Sequence, residues 1–224
     1  MFLSDIKTIL RRLLFLFFYL TDWVRVEYLL FRLRRDPIPP TTKFVLLFEG
    51  RTGSNYLMEK LRVHPNIGII SEPIHRYKKY GPAIQFISVL NPWIQSCPKF
   101  LLAVGITAKL SDVLDLKRFA WMLKALNVRI IHITRRNLIK TVISAINGKR
   151  LSDRVGTFNL VREQDRLPPF ILDIAHFQKR FEERLEKEKK LRDFVQQINL
   201  PLLELFYEDL VFNEEAVLDK ICVF

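Results

Sequence analysis

The sequence predicts an α/β fold: a central parallel sheet of about four strands, flanked by helices in three layers, with an apolar helical extension at the N-terminus. Three observations carry this. Short apolar runs at residues 43–48, 67–70, 128–133 and 200–206 alternate with segments of helical spacing. Each cluster of polar, chemistry-bearing residues falls where one of those runs ends. A proline-rich break, Asp36-Pro37-Ile38-Pro39-Pro40, sets the first 35 residues apart from the rest. The expected organisation is therefore an extension and break over residues 1–40 and a single body over 41–224.

Composition narrows the classes. The chain has 224 residues, 49% hydrophobic and 27% charged, which excludes a disordered chain. Its net charge is +12, of which +3 lies in the first 36 residues. A basic body suits an anionic ligand: nucleic acid, anionic lipid or a nucleotide-like small molecule. Nucleic acid is not expected, because there is no zinc finger, RNA-binding aromatic motif or basic coiled coil. Cys97 and Cys222 are too few and too far apart for a disulfide framework or a zinc site, and both are expected to be buried free thiols.

The extension centres on Leu13-Leu14-Phe15-Leu16-Phe17-Phe18-Tyr19-Leu20. Arg12 and Asp22 leave nine uncharged residues between them, against about 20 needed to span a bilayer. No small-residue cleavage site follows, so a signal peptide is not expected. On a helix Lys7, Arg11, Asp22, Arg25 and Arg32 share one stripe and the rest is mostly apolar. Two readings stand: an interfacial helix on a membrane surface, or a helix packed on the body or on a second subunit.

In the body, residues 43–48 read as a buried strand and 55–62 as a helix, with the glycine-bearing turn Phe48-Glu49-Gly50-Arg51-Thr52-Gly53-Ser54 between them. Strand, glycine turn and helix make a P-loop-like anion cradle, in which backbone amides and the helix dipole face a negative charge. Thr52, Ser54 and Asn55 add side-chain donors, and Arg51 adds a forked cation. An ordinary capped turn is the plain alternative. Residues 67–70 form a second strand ending at Glu72, a carboxylate able to accept a proton from an attacking hydroxyl, or plainly a surface glutamate or the structural partner of an arginine. Residues 82–125 read as helix-rich, with 116–127 the clearest helix. The third strand, 128–133, ends in Thr134-Arg135-Arg136-Asn137, and Ser144 lies on the following helix, 137–147. Two arginines and a serine there can hold a second phosphate, or can be plain surface. Residues 151–169 read as a loop. The helix over 173–198 carries a charge run, from Glu182 to Lys190, expected to be a solvated face. The fourth strand ends at Tyr207-Glu208-Asp209-Leu210, and 214–221 form a last helix. His64, His75, His132 and His176 show no metal-ligand spacing and are expected to be structural.

Taken together, these segments resemble sulfotransferases that use 3′-phosphoadenosine-5′-phosphosulfate (PAPS). "FEGRTGSNYL" resembles the 5′-phosphosulfate loop in the form found in bacterial enzymes acting on trehalose glycolipids or nodulation factors. "IISEP" resembles the segment with their proposed base. "IIHITRRNLIKTVIS" resembles the 3′-phosphate segment, and "LFYEDL" a late Tyr-Glu-Asp-Leu segment. The resemblance implies that residues 41–224 are a catalytic domain transferring a sulfuryl group to a hydroxyl, with Glu72 as general base. It implies that Arg51 stabilises the leaving phosphate and that Thr52, Gly53, Ser54 and Asn55 complete the cradle. Tyr56 and Tyr207 would lie near the adenine. Arg135 or Arg136, with Ser144, would hold the 3′-phosphate of PAPS or of its product PAP; spacing does not choose between the arginines. No metal is implied. The Arg-Lys-Gly loop of many animal and plant relatives is absent, which leaves the completeness of the cofactor site open.

The implied acceptor is a carbohydrate or glycolipid. The implied setting is cytoplasmic, with peripheral attachment to a membrane through residues 1–35 as one reading, and an oligomer is compatible with the sequence. The loop 151–169 is the expected acceptor-side lid. Two rivals remain: a catalytically inactive sulfotransferase-like protein bound at a membrane surface, and a P-loop kinase of a small molecule. The kinase reading lacks the Gly-Lys-Ser/Thr signature and an acidic Mg²⁺ ligand.

Overall fold

The computed structural model describes residues 2–35, 42–95, 101–160 and 162–224, so the proline-rich break and Cys97 lie outside the described residues. In chain order the helices are α1 (Phe2–Arg35), α2 (Ser54–Arg62), α3 (Pro73–Arg76), α4 (Pro82–Gln95), α5 (Leu116–Ala125), α6 (Leu138–Val155), α7 (Ile174–Ile198), α8 (Tyr207–Phe212) and α9 (Glu214–Val223). The strands are β1 (Thr42–Phe48), β2 (Ile67–Ile70), β3 (Ala103–Ala108), β4 (Arg129–Thr134) and β5 (Leu202–Phe206). They form one parallel sheet in the order β2-β3-β1-β4-β5, flanked by helices. The fold is α/β.

The chain divides into two compact units. The first comprises Met1–Val45 and Leu61–Arg129. In it β2 pairs with β3 from Ile67 opposite Ala103 to Ile70 opposite Ile106. The helix α1 packs against α4. Val26, Leu29, Leu30 and Leu33 of α1 are buried, as are Phe86, Leu90 and Trp93 of α4. Each such aliphatic side chain contributes about 1.5–3 kcal/mol when fully withdrawn from water. Asp115 caps α5 by accepting from the Arg118 amide at 2.9 Å.

The second unit comprises Leu46–Lys60 and Ile130–Phe224. Here β4 pairs with β5 from Ile130 opposite Leu202 to Thr134 opposite Phe206. Leu46, Leu47, Phe48, Ile130, Ile131 and Ile133 form its buried sheet core. Asn137 and Asp173 cap α6 and α7 through their side chains. Gly156 and Asn199 end those helices in the left-handed conformation.

Four expectations are corrected. The sheet has five strands, because β3 lies inside the region read as helix-rich. Its sequence, Ala-Val-Gly-Ile-Thr-Ala, is rich in poor strand formers, and a short buried apolar run has no diagnostic period. Gly105 leaves room in β3 for the Phe44 ring, which a Cβ there would meet at 2.3 Å. The loop expected over 151–169 begins later, since α6 continues through buried Leu151 to Val155. The helix expected over 137–147 therefore extends through Gly148, which lies inside α6. Cys222 is exposed rather than buried. Finally, the charge run on α7 is not wholly solvated: Arg184 is 9% exposed and Glu188 is 3% exposed.

Candidate functional site

Strand β1 lies between β3 and β4 in the sheet. Chain connections from such a strand leave toward opposite sides, and ligands of open α/β sheets bind at the carboxyl end of that junction. Within the second unit, the loop after β1 and the segment after β4 both belong to that end.

The loop after β1 is held in an unusual shape. Arg51 has φ 72° and Gly53 has φ 82°. The first costs about 1–2 kcal/mol for a residue with a Cβ, whereas glycine adopts it freely. Thr52 is buried and donates its hydroxyl to the Glu49 carbonyl at 2.9 Å, so it braces the loop from within. The Leu57 amide donates to the Gly53 carbonyl at 3.1 Å, starting α2 from the loop. Ser54, the first residue of α2, is buried, and Asn55 is exposed.

Around the Arg51 guanidinium one sequence-predicted residue, Ser144, meets residues that the sequence did not single out. Its Nε donates to Ser144 Oγ at 3.0 Å. Its Nη1 donates to the Phe158 carbonyl at 3.2 Å and to Asn159 Oδ1 at 2.7 Å. Gly148 makes room: a Cβ there would lie 3.1 Å from the Phe158 oxygen and 3.6 Å from Arg51 Cζ. Burial and then the charge of Arg135 push the Arg51 guanidinium below its usual range. A bound anion would oppose the second effect directly.

The two arginines after β4 have different surroundings. Arg136 makes a two-pronged pair with Asp209, at 2.6 and 2.8 Å, and its guanidinium lies 4.1 Å from the Phe206 ring centroid. Arg135 lies 4.6 Å over the Tyr207 ring and 3.9 Å from Glu208. Its Nε is buried with no hydrogen-bond partner. Glu208 is itself engaged, accepting the amides of Arg136 at 3.1 Å and Asn137 at 3.2 Å. Burial works against the Glu208 carboxylate, and those amides with Arg135 outweigh it, holding it below the usual range. Tyr207 also packs over Gly53, where a Cβ would fall 2.2 Å from Tyr207 Cδ2. Arg51, Gly53, Arg135, Ser144 and Tyr207 therefore form one connected group. Tyr56 stands apart from it: its hydroxyl bonds Glu214, which also pairs with Lys60 at 3.0 Å.

Glu72 belongs to the first unit. It has φ 43°, its amide donates to Thr107 Oγ1 at 2.8 Å, and its Oε2 accepts from Lys109 Nζ at 2.9 Å. One atom each of Glu72, His75 and Asp112 lie within 4.8 Å of one another. His75 Nδ1 is 3.0 Å from Asp112 Oδ2, and Lys78 donates to Asp112 Oδ1 at 3.1 Å. Burial opposes the Asp112 carboxylate, but His75 and Lys78 hold it below its ordinary range. Each of the two carboxylates thus has an ammonium partner.

Sequence reasoning missed Arg184 and Glu188. Arg184 donates to the Gly50 carbonyl and to Glu188 Oε1, each at 2.6 Å, and Thr134 Oγ1 donates to Glu188 Oε2 at 3.3 Å. A signal for them exists. The inward stripe of α7 runs Phe177, Phe181, 184, 188, Leu191, Val195, Ile198, at alternating steps of four and three. Two charged residues occupy the two gaps in that stripe.

No family model matches the chain, and no curated protein does. Among solved structures the chain is similar to that of the mouse sulfotransferase SULT7A1 complexed with PAP. The identity is 16%, the TM-score 0.45, and the match covers 87% of this chain and 62% of the other. The chain thus spans less than two-thirds of the length of that structure.

Proposed function

We propose that this chain is a sulfotransferase that moves a sulfuryl group from PAPS to a hydroxyl of a carbohydrate or glycolipid acceptor. The observation that carries the reading is the grouping of cations about the loop that follows β1: Arg51 on the loop itself, bonded to Ser144, and Arg135 stacked on Tyr207, the ring that packs over Gly53. One buried guanidinium nitrogen, Arg135 Nε, has no hydrogen-bond partner and only the Glu208 carboxylate at 3.9 Å, and a serine hydroxyl adjoins the other arginine. That donor set fits a ligand with two anionic groups. The motif resemblance of the same segments supports PAPS as that ligand.

PAPS supplies an activated sulfuryl group joined to a 5′-phosphate that leaves readily. In this reading the loop amides from Arg51 to Asn55 and the Arg51 guanidinium bind the 5′ end. As the acceptor oxygen bonds to sulfur and the bond from sulfur to the phosphate oxygen breaks, the electron pair goes to that phosphate, where Arg51 offsets the charge. Arg135, with Tyr207 beneath its guanidinium, takes the 3′-phosphate together with Ser144. Thr52 and Gly53 shape the cradle, and Arg136, tied to Asp209, holds the backbone after β4. Glu72 receives the proton of the acceptor hydroxyl.

Calorimetry with PAP and ATP, followed by transfer of labelled sulfate from PAPS to lipid, glycan and protein fractions, tests the proposal. PAP binding without ATP binding, with label in the glycan or lipid fraction, is the expected result. Arg51→Ala should abolish transfer, and Glu72→Gln should keep PAP binding while losing it. Binding of ATP instead, or of neither nucleotide, overturns the proposal.

A further inference from the structure

Beyond the sulfuryl-transfer reading, and independent of it, we infer that the outer face of α1 docks on an anionic lipid bilayer. Leu20, Val24, Tyr28 and Phe31 are 55%, 69%, 57% and 55% exposed. Their steps of four, four and three place them on one side of a helix. The buried residues Val26, Leu29, Leu30 and Leu33 occupy the opposite side, against α4. The helix therefore satisfies its own unit with one face and presents a second apolar face to its surroundings, an arrangement that marks an interaction surface.

Charge decides the occupant. Arg25 and Arg32, seven residues apart, run beside the exposed apolar stripe, and among the described residues no carboxylate pairs with either. Arg35 closes the stripe, its guanidinium 5.7 Å from the Phe31 ring centroid. Of the two acids in residues 17–35, Glu27 bonds Arg118 at 2.9 Å. Asp22, four residues before Val26, lies toward the buried side. A second copy of this helix would bring Arg25, Arg32 and Arg35 together against the half-buried Asp22 alone, a net excess of positive charge. An anionic headgroup layer offers the missing charge, while the apolar stripe enters the acyl boundary and Tyr28 suits the interface. Among the described residues no helix is long and apolar enough to cross a membrane, so the mode is attachment along the surface.

Flotation of the full chain with vesicles tests this. Vesicles of phosphatidylcholine mixed with phosphatidylserine should carry the protein up the gradient, and vesicles of phosphatidylcholine alone should not. Val24→Glu with Tyr28→Glu should abolish flotation, and Arg25→Gln or Arg32→Gln should each weaken it about fivefold. All four side chains are exposed, so thermal melts should match the parent; should the glutamate pair fail to fold, the arginine variants decide alone. Equal flotation of parent and variants, or none by the parent, overturns the inference. So does a dimer in sedimentation that the glutamate pair dissociates. None of these readouts involves PAP, so failure here leaves the sulfotransferase proposal standing, and its failure leaves this one standing.

Discussion

Arg184 Nη1 donates to the carbonyl oxygen of Gly50 at 2.6 Å, across 134 residues of sequence. That bond fixes the peptide leading into Arg51, the residue held at φ 72°. The same guanidinium is bound to Glu188, and its Nε is buried without a hydrogen-bond partner. A buried ion pair so placed positions the loop more than it stabilises the fold, since its desolvation offsets much of its Coulomb gain.

Arg184→Met alone strands a buried carboxylate and should lower unfolding free energy by about 3–5 kcal/mol in urea titration. Arg184→Met combined with Glu188→Leu removes both charges and should recover most of that loss. The double variant should still bind PAP roughly tenfold more weakly than the parent, because the Gly50 carbonyl has lost its anchor. Recovery of both stability and binding would show that the pair has no positioning role.

Arg135 and Arg136 should separate in calorimetry with PAP. Arg135 has a buried nitrogen with no hydrogen-bond partner, so Arg135→Ala should weaken PAP binding by roughly 10- to 100-fold. Arg136 is already spent on Asp209, and Arg136→Ala should leave PAP affinity close to the parent's. The reverse order would assign the phosphate to Arg136.

Gly53→Ala combines two faults. The residue sits at φ 82°, and the new Cβ would meet Tyr207 Cδ2 at 2.2 Å. A loss of about 1–3 kcal/mol in stability is expected, together with displacement of Tyr207. Thermal melts and the fluorescence environment of the tyrosines would detect both; an unperturbed melt would mean that the loop is free to relax.

His132 is 3% exposed. Burial lowers its pKa, outweighing the opposite pulls of Glu188 and Glu204. In the unfolded chain a histidine takes up a proton near about pH 6.5, whereas the folded one resists it. Its neutral form thus leaves stability intact above about pH 6.5, and stability declines as pH falls through that value toward the folded pKa. Urea midpoints across this range should show that slope, and His132→Phe should flatten it. An identical slope in the variant would place the titration elsewhere.

Much of the candidate loop was legible in the sequence because it is local. The turn from Glu49 to Ser54 carries its own glycines, cation and helix start, so β1, the loop and α2 could be read from one short stretch. Strands β1, β2, β4 and β5 announced themselves as apolar runs between turn signals. Strand β3 did not, since Gly105 and two alanines give no strand preference and its burial supplies no alternation. Arg184 and Glu188 were hidden for a related reason: seven-residue periodicity places them inward, but charged side chains are ordinarily read as outward.

By itself, the sequence determined the α/β class, the order of the apolar runs and the residue types able to hold an anion, because these follow from short-range periodicity and turn chemistry. Only the tertiary structure decided that Ser144 meets Arg51 across 93 residues, that Arg135 keeps a nitrogen without a hydrogen bond while Arg136 is tied to Asp209, and that Arg184 supports the loop. Those outcomes depend on which strands become neighbours and which faces they bury. Long-range pairing sets that, and spacing along the chain cannot encode it.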